Sequence, residues 1–348
     1  MIQAAYTAYT LDFKQPSGTS RGTLYQKKSY FIRLQEDGRF GYGEVGVLQG
    51  LSCDDVPELE DQIKWTIQNI HMGLDALYEV NMQFPSIQFA LEQAFSHLKN
   101  GFEHFPSPFS SGTEPQYING LIWMGDRDFM MDQITKRLNE GFKTLKMKVG
   151  AISWESERQL LSYIRKQFSP AELEIRVDAN GAFDLEKAVE VSAFLKDIAV
   201  HSIEQPLPPS EVEGLKAAAE RMHIPIALDE SLIGVFYKED KIRLLDKIQP
   251  QYIILKPSFI GGWRGSDEWI DVATERGIGW WATSALESNL GLNAIAQWAF
   301  TKQNPIPQGL GTGSLYTNNI PAPLRVHGGE LSVVGSVKEG WDLNLLKF

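Results

Sequence analysis

The sequence predicts an α/β chain, a modified TIM-type (β/α) barrel of about seven to eight βα units joined to an α+β capping domain. Three observations predict it. Eight short apolar runs recur from residue 118 onward, separated by stretches of helical periodicity, and strands alternating with helices imply parallel βαβ units. Eight such units in about 200 residues is the number that closes a barrel. The first hundred residues instead alternate apolar and polar positions before turning helical, the pattern of a small α+β unit.

Residues 2 to 13 and 28 to 35 carry β-formers in alternation, and 40 to 47 continue after a Glu-Asp-Gly turn, so an antiparallel meander is expected. Between the first two strands, residues 15 to 23 are rich in Gly, Ser and Pro. They predict a mobile loop, with Ser17, Gly18, Thr19, Ser20 and Arg21 as a lid over an active site. Helical patterns follow at 54 to 73 and, after Pro85, at 86 to 100. Pro106, Pro108 and Pro115 mark a linker at 106 to 116, which sets a capping domain at 1 to 105 and a barrel at 117 to 320. The barrel runs are 118 to 124, 144 to 149, 173 to 178, 200 to 204, 224 to 229, 252 to 256, 278 to 283 and 308 to 311. A doubly wound open sheet is the alternative arrangement of the same units. Residues 321 to 348 are expected to return to the capping domain and complete it.

A net charge of -11 without any basic block argues against nucleic acid or anionic membrane as partner and favours a small-molecule ligand. Cys53 is the only cysteine, so no intrachain disulfide forms and a reducing compartment fits. The first ten residues lack the basic start and apolar core of a signal peptide, and no apolar run is long enough to span a membrane, so a cytoplasmic protein is expected.

The chemistry is written at the ends of the barrel runs. Lys148, Asp178, Glu204, Asp229 and Lys256 follow one another at intervals of about 25 to 30 residues, one βα unit each, which puts them at the C-terminal ends of successive strands, the active face of such barrels. Each carboxylate alone reads equally well as a helix N-cap. Three in register would repel one another unless they bind a hard cation, and all-oxygen ligation suits Mg²⁺ or Mn²⁺. Lys146 and Lys148 share one face of a strand, and each raises the cost of charging the other. With Lys256 across the mouth, one lysine can take the proton α to a carboxylate while cation and opposite lysine offset the charge on the enediolate. Gly41-Tyr-Gly-Glu-Val-Gly46 matches a dinucleotide fingerprint, yet no amphipathic helix opens after it. Gly309 to Gly313 suits a phosphate or, as an amide nest, a carboxylate.

In order along the chain, Lys146-Met-Lys148, Val-Asp178-Ala-Asn180-Gly, Ile-Glu204-Gln-Pro-Leu, Leu-Asp229-Glu-Ser and Leu-Lys256-Pro resemble the strand-end motifs of the enolase superfamily, in its muconate-lactonising subgroup. Ser284 to Gly291, Gly309 to Gly313 and Gly50-Leu51-Ser52 are most similar to the o-succinylbenzoate synthase family. The resemblance implies that Asp178, Glu204 and Asp229 bind Mg²⁺ and that Lys148 and Lys256 are catalytic. Lys146 would tune Lys148 and hydrogen-bond the substrate carboxylate. It also implies dehydration of 2-succinyl-6-hydroxy-2,4-cyclohexadiene-1-carboxylate in menaquinone biosynthesis. There Lys148 would take the α-proton and return it to the leaving hydroxide, and Lys256 would lie over the ring. Ser284 and the backbone amides near Gly311 and Thr312 would receive the succinyl tail, and Leu51, Arg176 and Asn180 would also contact the substrate. Relatives with the same lysines racemise N-succinylamino acids or epimerise dipeptides. The epimerases usually carry an Asp-x-Asp after the eighth strand, which Gly309 to Gly313 lacks. A non-catalytic metal-dependent binder would not need lysines on both sides.

Overall fold

The computed structural model describes residues 1 to 19 and 22 to 348, and the side chains of 17 to 19 are not described. β1 (Gln3–Thr19), β2 (Gly22–Glu36) and β3 (Arg39–Val45) form an antiparallel sheet in that order. Where a mobile loop was expected at 15 to 23, the hairpin continues instead: Ser17, Gly18 and Thr19 pair with Leu24, Thr23 and Gly22. A register shift between Asp12 and Ser17 absorbs Pro16, whose ring has no N–H to give to a ladder, and main-chain pairing resumes beyond it. Of the expected lid, Ser20 and Arg21 lie outside the described residues.

The helix expected over 54 to 73 is shorter. α1 (Leu59–Gln68) gives way to a 3₁₀ turn at Ile70–Met72, and Gly73, at φ 80°, redirects the chain into α2 (Gly73–Val80). α3 (Pro85–Asn100) opens with Pro85 in its first turn and ends at Gly101. It crosses β3 so closely that a Cβ on Gly41 or Gly43 would overlap the carbonyl oxygens of Ala94 and Ala90. The glycines of the dinucleotide-like pattern thus serve a helix lying on a strand.

After β4 (Gln116–Tyr117) come β5 (Gly120–Ile122), α4 (Arg127–Asn139), β6 (Thr144–Lys148), α5 (Trp154–Gln167), β7 (Glu174–Asp178) and α6 (Leu185–Asp197). The pattern continues through β8 (Ser202–Glu204), α7 (Val212–Arg221), β9 (Ile226–Leu228), α8 (Lys238–Ile248) and β10 (Tyr252–Leu255). It ends with α9 (Pro257–Ile260), α10 (Gly262–Thr274), β11 (Gly279–Ala282) and α11 (Asn289–Thr301). Among the described residues, β5 to β11 make a seven-stranded parallel sheet in sequential order. Side-chain caps start several helices: Asp126 accepts from Phe129 N, Ser153 from Ser156 N, Asp184 from Lys187 N and Ser288 from Leu290 N.

The eighth run contributes only two parallel bridges, Gln308 to Ile118 and Gly309 to Thr283, which join the two edges of the sheet and close the barrel. β12 (Leu324–His327) and β13 (Glu330–Val333) form a hairpin added to β4. The chain end then packs Leu346, Trp341 and Phe348 with Phe31, Tyr9 and Tyr42 of the first sheet. No helix among the described residues is long and apolar enough to cross a membrane.

Candidate active site

Strand register brings the predicted residues together. Lys148, Asp178 and Glu204 are last residues of β6, β7 and β8 and stand opposite one another in the ladder. Asp229 follows β9 directly and Lys256 follows β10. The carboxylates are almost fully buried, with Asp178 and Glu204 at 1% and Asp229 at 2% exposure. Burying such charges is costly unless each is paired, and each is. Lys146 Nζ lies 2.8 Å from Glu204 Oε2 and 3.0 Å from Asp178 Oδ2. Lys148 Nζ reaches the same Asp178 oxygen at 3.0 Å and donates to Asn180 Oδ1 at 2.6 Å. Lys256 pairs with Asp229 Oδ2.

Asn180, expected to touch substrate, lines the cavity at the barrel mouth and also holds a lysine. It adopts a left-handed backbone (φ 45°), its N–H donates to Asp178 Oδ1 at 3.1 Å, and its Nδ2 donates to Glu230 Oε1 at 2.9 Å. Glu230, Asn180 and Lys148 therefore form a chain of contacts. Sequence reasoning passed over Glu230, whose only signal was a second acid directly after Asp229.

Both lysines of the pair converge on one oxygen of Asp178. Burial opposes charge on Lys146, but Asp178 and Glu204 outweigh it and hold that lysine well above its ordinary range. Lys256 is raised in the same way, burial opposing and Asp229 and Glu230 prevailing. Burial would raise the pKa of Asp178, and the three lysines outweigh it and hold the carboxyl well below the usual carboxylate range. Glu204 is pushed up to about 8 by burial and by the charge of Asp178.

Among the described residues no three acid, His or Cys side chains are already gathered around a common point, because ammonium groups occupy the carboxylate oxygens. The donor set nevertheless fits a hard divalent cation: three oxygen-only side chains on adjacent strand ends. Asp178, Glu204 and Asp229 would hold it.

These groups open into a cavity lined by Lys146, Lys148 and Lys256 together with Ser284, Gly311 and Thr312, with Leu51 contributed by the segment after β3. One expected substrate contact lies elsewhere, and another has a second task. Arg176, two residues before the end of β7, does not line the cavity. It points into the barrel interior, stacks over Trp281 at 4.5 Å and donates to Glu174 Oε1 at 2.7 Å and the Pro307 carbonyl at 2.9 Å. Ser284 lines the cavity, but its one hydroxyl proton goes to Glu287 Oε2 at 2.6 Å while its oxygen accepts from Leu286 N and Glu287 N. Glu287 also accepts from Ser258 Oγ at 2.5 Å, so it ties the loop after β11 to the residues that follow Lys256.

The family model described as enolase C-terminal domain-like matches residues 130–341. An o-succinylbenzoate synthase of Desulfotalea psychrophila is 43% identical to the chain over 95% of its length and 99% of the relative. A crystal structure of MenC from the same organism superposes with a TM-score of 0.84 at 40% identity, covering 95% of this chain and 99% of that one. A substrate-liganded complex of the L-Ala-D/L-Glu epimerase from Bacillus subtilis superposes with a TM-score of 0.82 at 21% identity, over 97% and 98% of the two chains, a likeness of fold alone. The chain belongs to the enolase superfamily, in its enolase C-terminal domain-like family.

Proposed function

We propose that the chain is a Mg²⁺-dependent o-succinylbenzoate synthase, a hydro-lyase that dehydrates 2-succinyl-6-hydroxy-2,4-cyclohexadiene-1-carboxylate in menaquinone biosynthesis. Two lysines entering one cavity from opposite strands, each against a different carboxylate, carry this reading. The 43% identity to a synthase over nearly the whole chain supports the choice of substrate. When bound, the cation supplies positive charge that stabilises a carboxylate whose α-carbon is losing a proton. Lys148 Nζ, held by Asn180, takes that proton. Loss of the hydroxyl from the neighbouring carbon then makes the ring aromatic, and Lys148 returns the proton to the departing oxygen. Lys256, kept charged by Asp229 and Glu230, offsets the charge from the other side. Lys146 remains a cation that fixes Asp178 and Glu204. The single Cys53 suits a cytoplasmic setting, which belongs to the same reading.

The test is turnover. Purified protein with Mg²⁺ should convert the cyclohexadiene acid to the aromatic product, followed by ultraviolet absorbance, faster than it racemises N-succinylamino acids or epimerises dipeptides. A clear preference for either of the latter would overturn the synthase assignment.

A further inference from the structure

Glu230 directly follows Asp229, lines the cavity and is buried, and the chemistry above draws only on its charge. Its geometry does more. Asn180 Nδ2 donates to Glu230 Oε1 at 2.9 Å, and Lys148 Nζ donates to Asn180 Oδ1 at 2.6 Å. An amide carries its donor and its acceptor on separate arms, so the partner of one arm decides what the other presents. The carboxylate takes the NH₂ arm, which leaves the carbonyl oxygen toward the lysine. Half a turn of the same amide would set its N–H groups against those of Lys148. Both turns are held from one residue. Gln205, fully buried and directly after Glu204, takes Gly181 N on its main-chain oxygen at 2.7 Å. Its side-chain Oε1 takes Asp229 N at 3.0 Å and Ser231 N at 3.2 Å. The backbone beside Asn180 and the backbone that carries Glu230 are therefore fixed relative to each other.

We propose that Glu230 is a positioning residue that acts through the Asn180 amide to aim Lys148 Nζ. The proposal rests on the synthase reading, in which Lys148 takes the α-proton. An amine that donates one N–H to Asn180 Oδ1 cannot turn freely about its Cε–Nζ bond, so its lone pair points in one direction. Proton transfer depends on such placement, and a reacting group set wrongly by about 1 Å can cost 10²-fold in rate. Two other roles for Glu230 make different demands. As a charge beside Lys256 it would act whether or not Asn180 is present, and Lys256 has Asp229 as its direct partner. As a direct grip on substrate it would act on KM.

The experiment measures kcat, KM and Mg²⁺ titration on the cyclohexadiene acid for Glu230→Ala, Asn180→Ala and the double variant. Glu230→Ala is expected to lower kcat about 10- to 100-fold, with KM within about threefold of wild type and Mg²⁺ saturation unchanged. In the Asn180→Ala background the same change should lower kcat by less than about twofold, because the amide it acts through is gone. Glu230→Gln, whose amide oxygen can take the same N–H, should recover most of the loss. Glu230→Met, which keeps the length without that acceptor, replaces alanine in the cycle if the alanine variant fails to fold. The proposal is overturned by wild-type kcat in Glu230→Ala, by the full loss repeated in the Asn180→Ala background, by a loss confined to KM, or by a glutamine variant as slow as the alanine one. Wild-type protein that does not dehydrate the acid brings down the synthase reading, whereas an active wild type with any of those results brings down the positioning role alone.

Discussion

Asp178 at the barrel mouth and Glu44 between the first sheet and the barrel are nearly equally buried, at 1% and 0% exposure, but they keep different company. Asp178 is held by the ammonium groups of Lys146 and Lys148. Glu44 accepts from Ser29 Oγ at 2.9 Å, from Ser288 N at 3.0 Å and Ser288 Oγ at 2.5 Å, and from Gly291 N at 3.2 Å, while Lys27 stays 4.0 Å away. Glu92 has similar company, taking Trp263 N at 2.5 Å and Arg264 N at 3.2 Å. Main-chain amides and hydroxyls are fixed donors that cannot follow a migrating charge, so carboxylates bound to them lock the capping sheet and α3 onto the barrel. Ammonium groups on flexible stems can give up an oxygen to another cation or pass on a proton. Burial alone does not distinguish an acid of the architecture from one of the chemistry; the kind of partner does.

The sharpest way to break this distinction is Lys148→Ala. Turnover should fall about 10³- to 10⁴-fold, the scale of a lost general base, while Mg²⁺ titration still saturates and the melting temperature stays near that of the parent. Undiminished dehydration would show that the ammonium-held acids do not define the chemical region. Glu44→Ala should do the reverse. Urea unfolding should report a loss of about 3 to 5 kcal/mol, because Lys27 and several donors lose their partner together, with kcat of the folded fraction within a few-fold of the parent.

Glu92 sharpens the comparison through pH. Burial pushes its carboxyl up to about 8, from an ordinary 4.5. The folded state therefore holds the proton more tightly than the unfolded state, so this contribution to stability is complete below the ordinary value and is lost as pH rises through about 8. His97 and His104 act on the acid side, since burial lowers them to about 4 and about 3, and their contribution is lost as pH falls from 6.5. The urea midpoint of the parent, relative to Glu92→Gln, should decline from pH 5 to pH 8. Parallel profiles for the two proteins would remove Glu92 from the seam group.

The smallest effect is expected at Glu157, which lies near the chemistry in sequence but has structural company. On α5 it accepts from the N–H groups of Gly150, Ala151 and Ile152 at 2.7, 3.2 and 3.4 Å, and so pins the loop that follows Lys148. Glu157→Gln should cost about 1 kcal/mol in unfolding and change kcat by less than tenfold. A loss of turnover on the scale of Lys148→Ala would mean that position in the chain outweighs partner type.

Strand-end spacing made Lys148, Asp178, Glu204, Asp229 and Lys256 legible, because one βα unit per interval is a local property of the chain. Partner choice was not legible. That Ser284 gives its proton to Glu287, or that Arg176 lies one layer below the mouth against Trp281, depends on rotamers fixed by residues distant in sequence. Composition misled at 15 to 23, where Gly, Ser and Pro suggested a loop and β1 runs on to Thr19, pairing with the start of β2. The glycines at 41 and 43 carried a motif-like spacing whose cause, the passage of α3, is a tertiary one.

The barrel is closed by two bridges where every other neighbouring pair of strands shares a ladder. Lys148, Asp178, Glu204, Asp229 and Lys256 all stand on the continuous part of the wall, whereas Asn119 and Thr283, whose side-chain oxygens lack a hydrogen-bond partner, stand beside the two bridges. The closing segment is therefore wall and lining at once: Gln308 takes Ala282 N on its side chain while Gly309, Gly311 and Thr312 face the cavity, so a side chain added at Gly309 would meet Thr283 before it met any ligand.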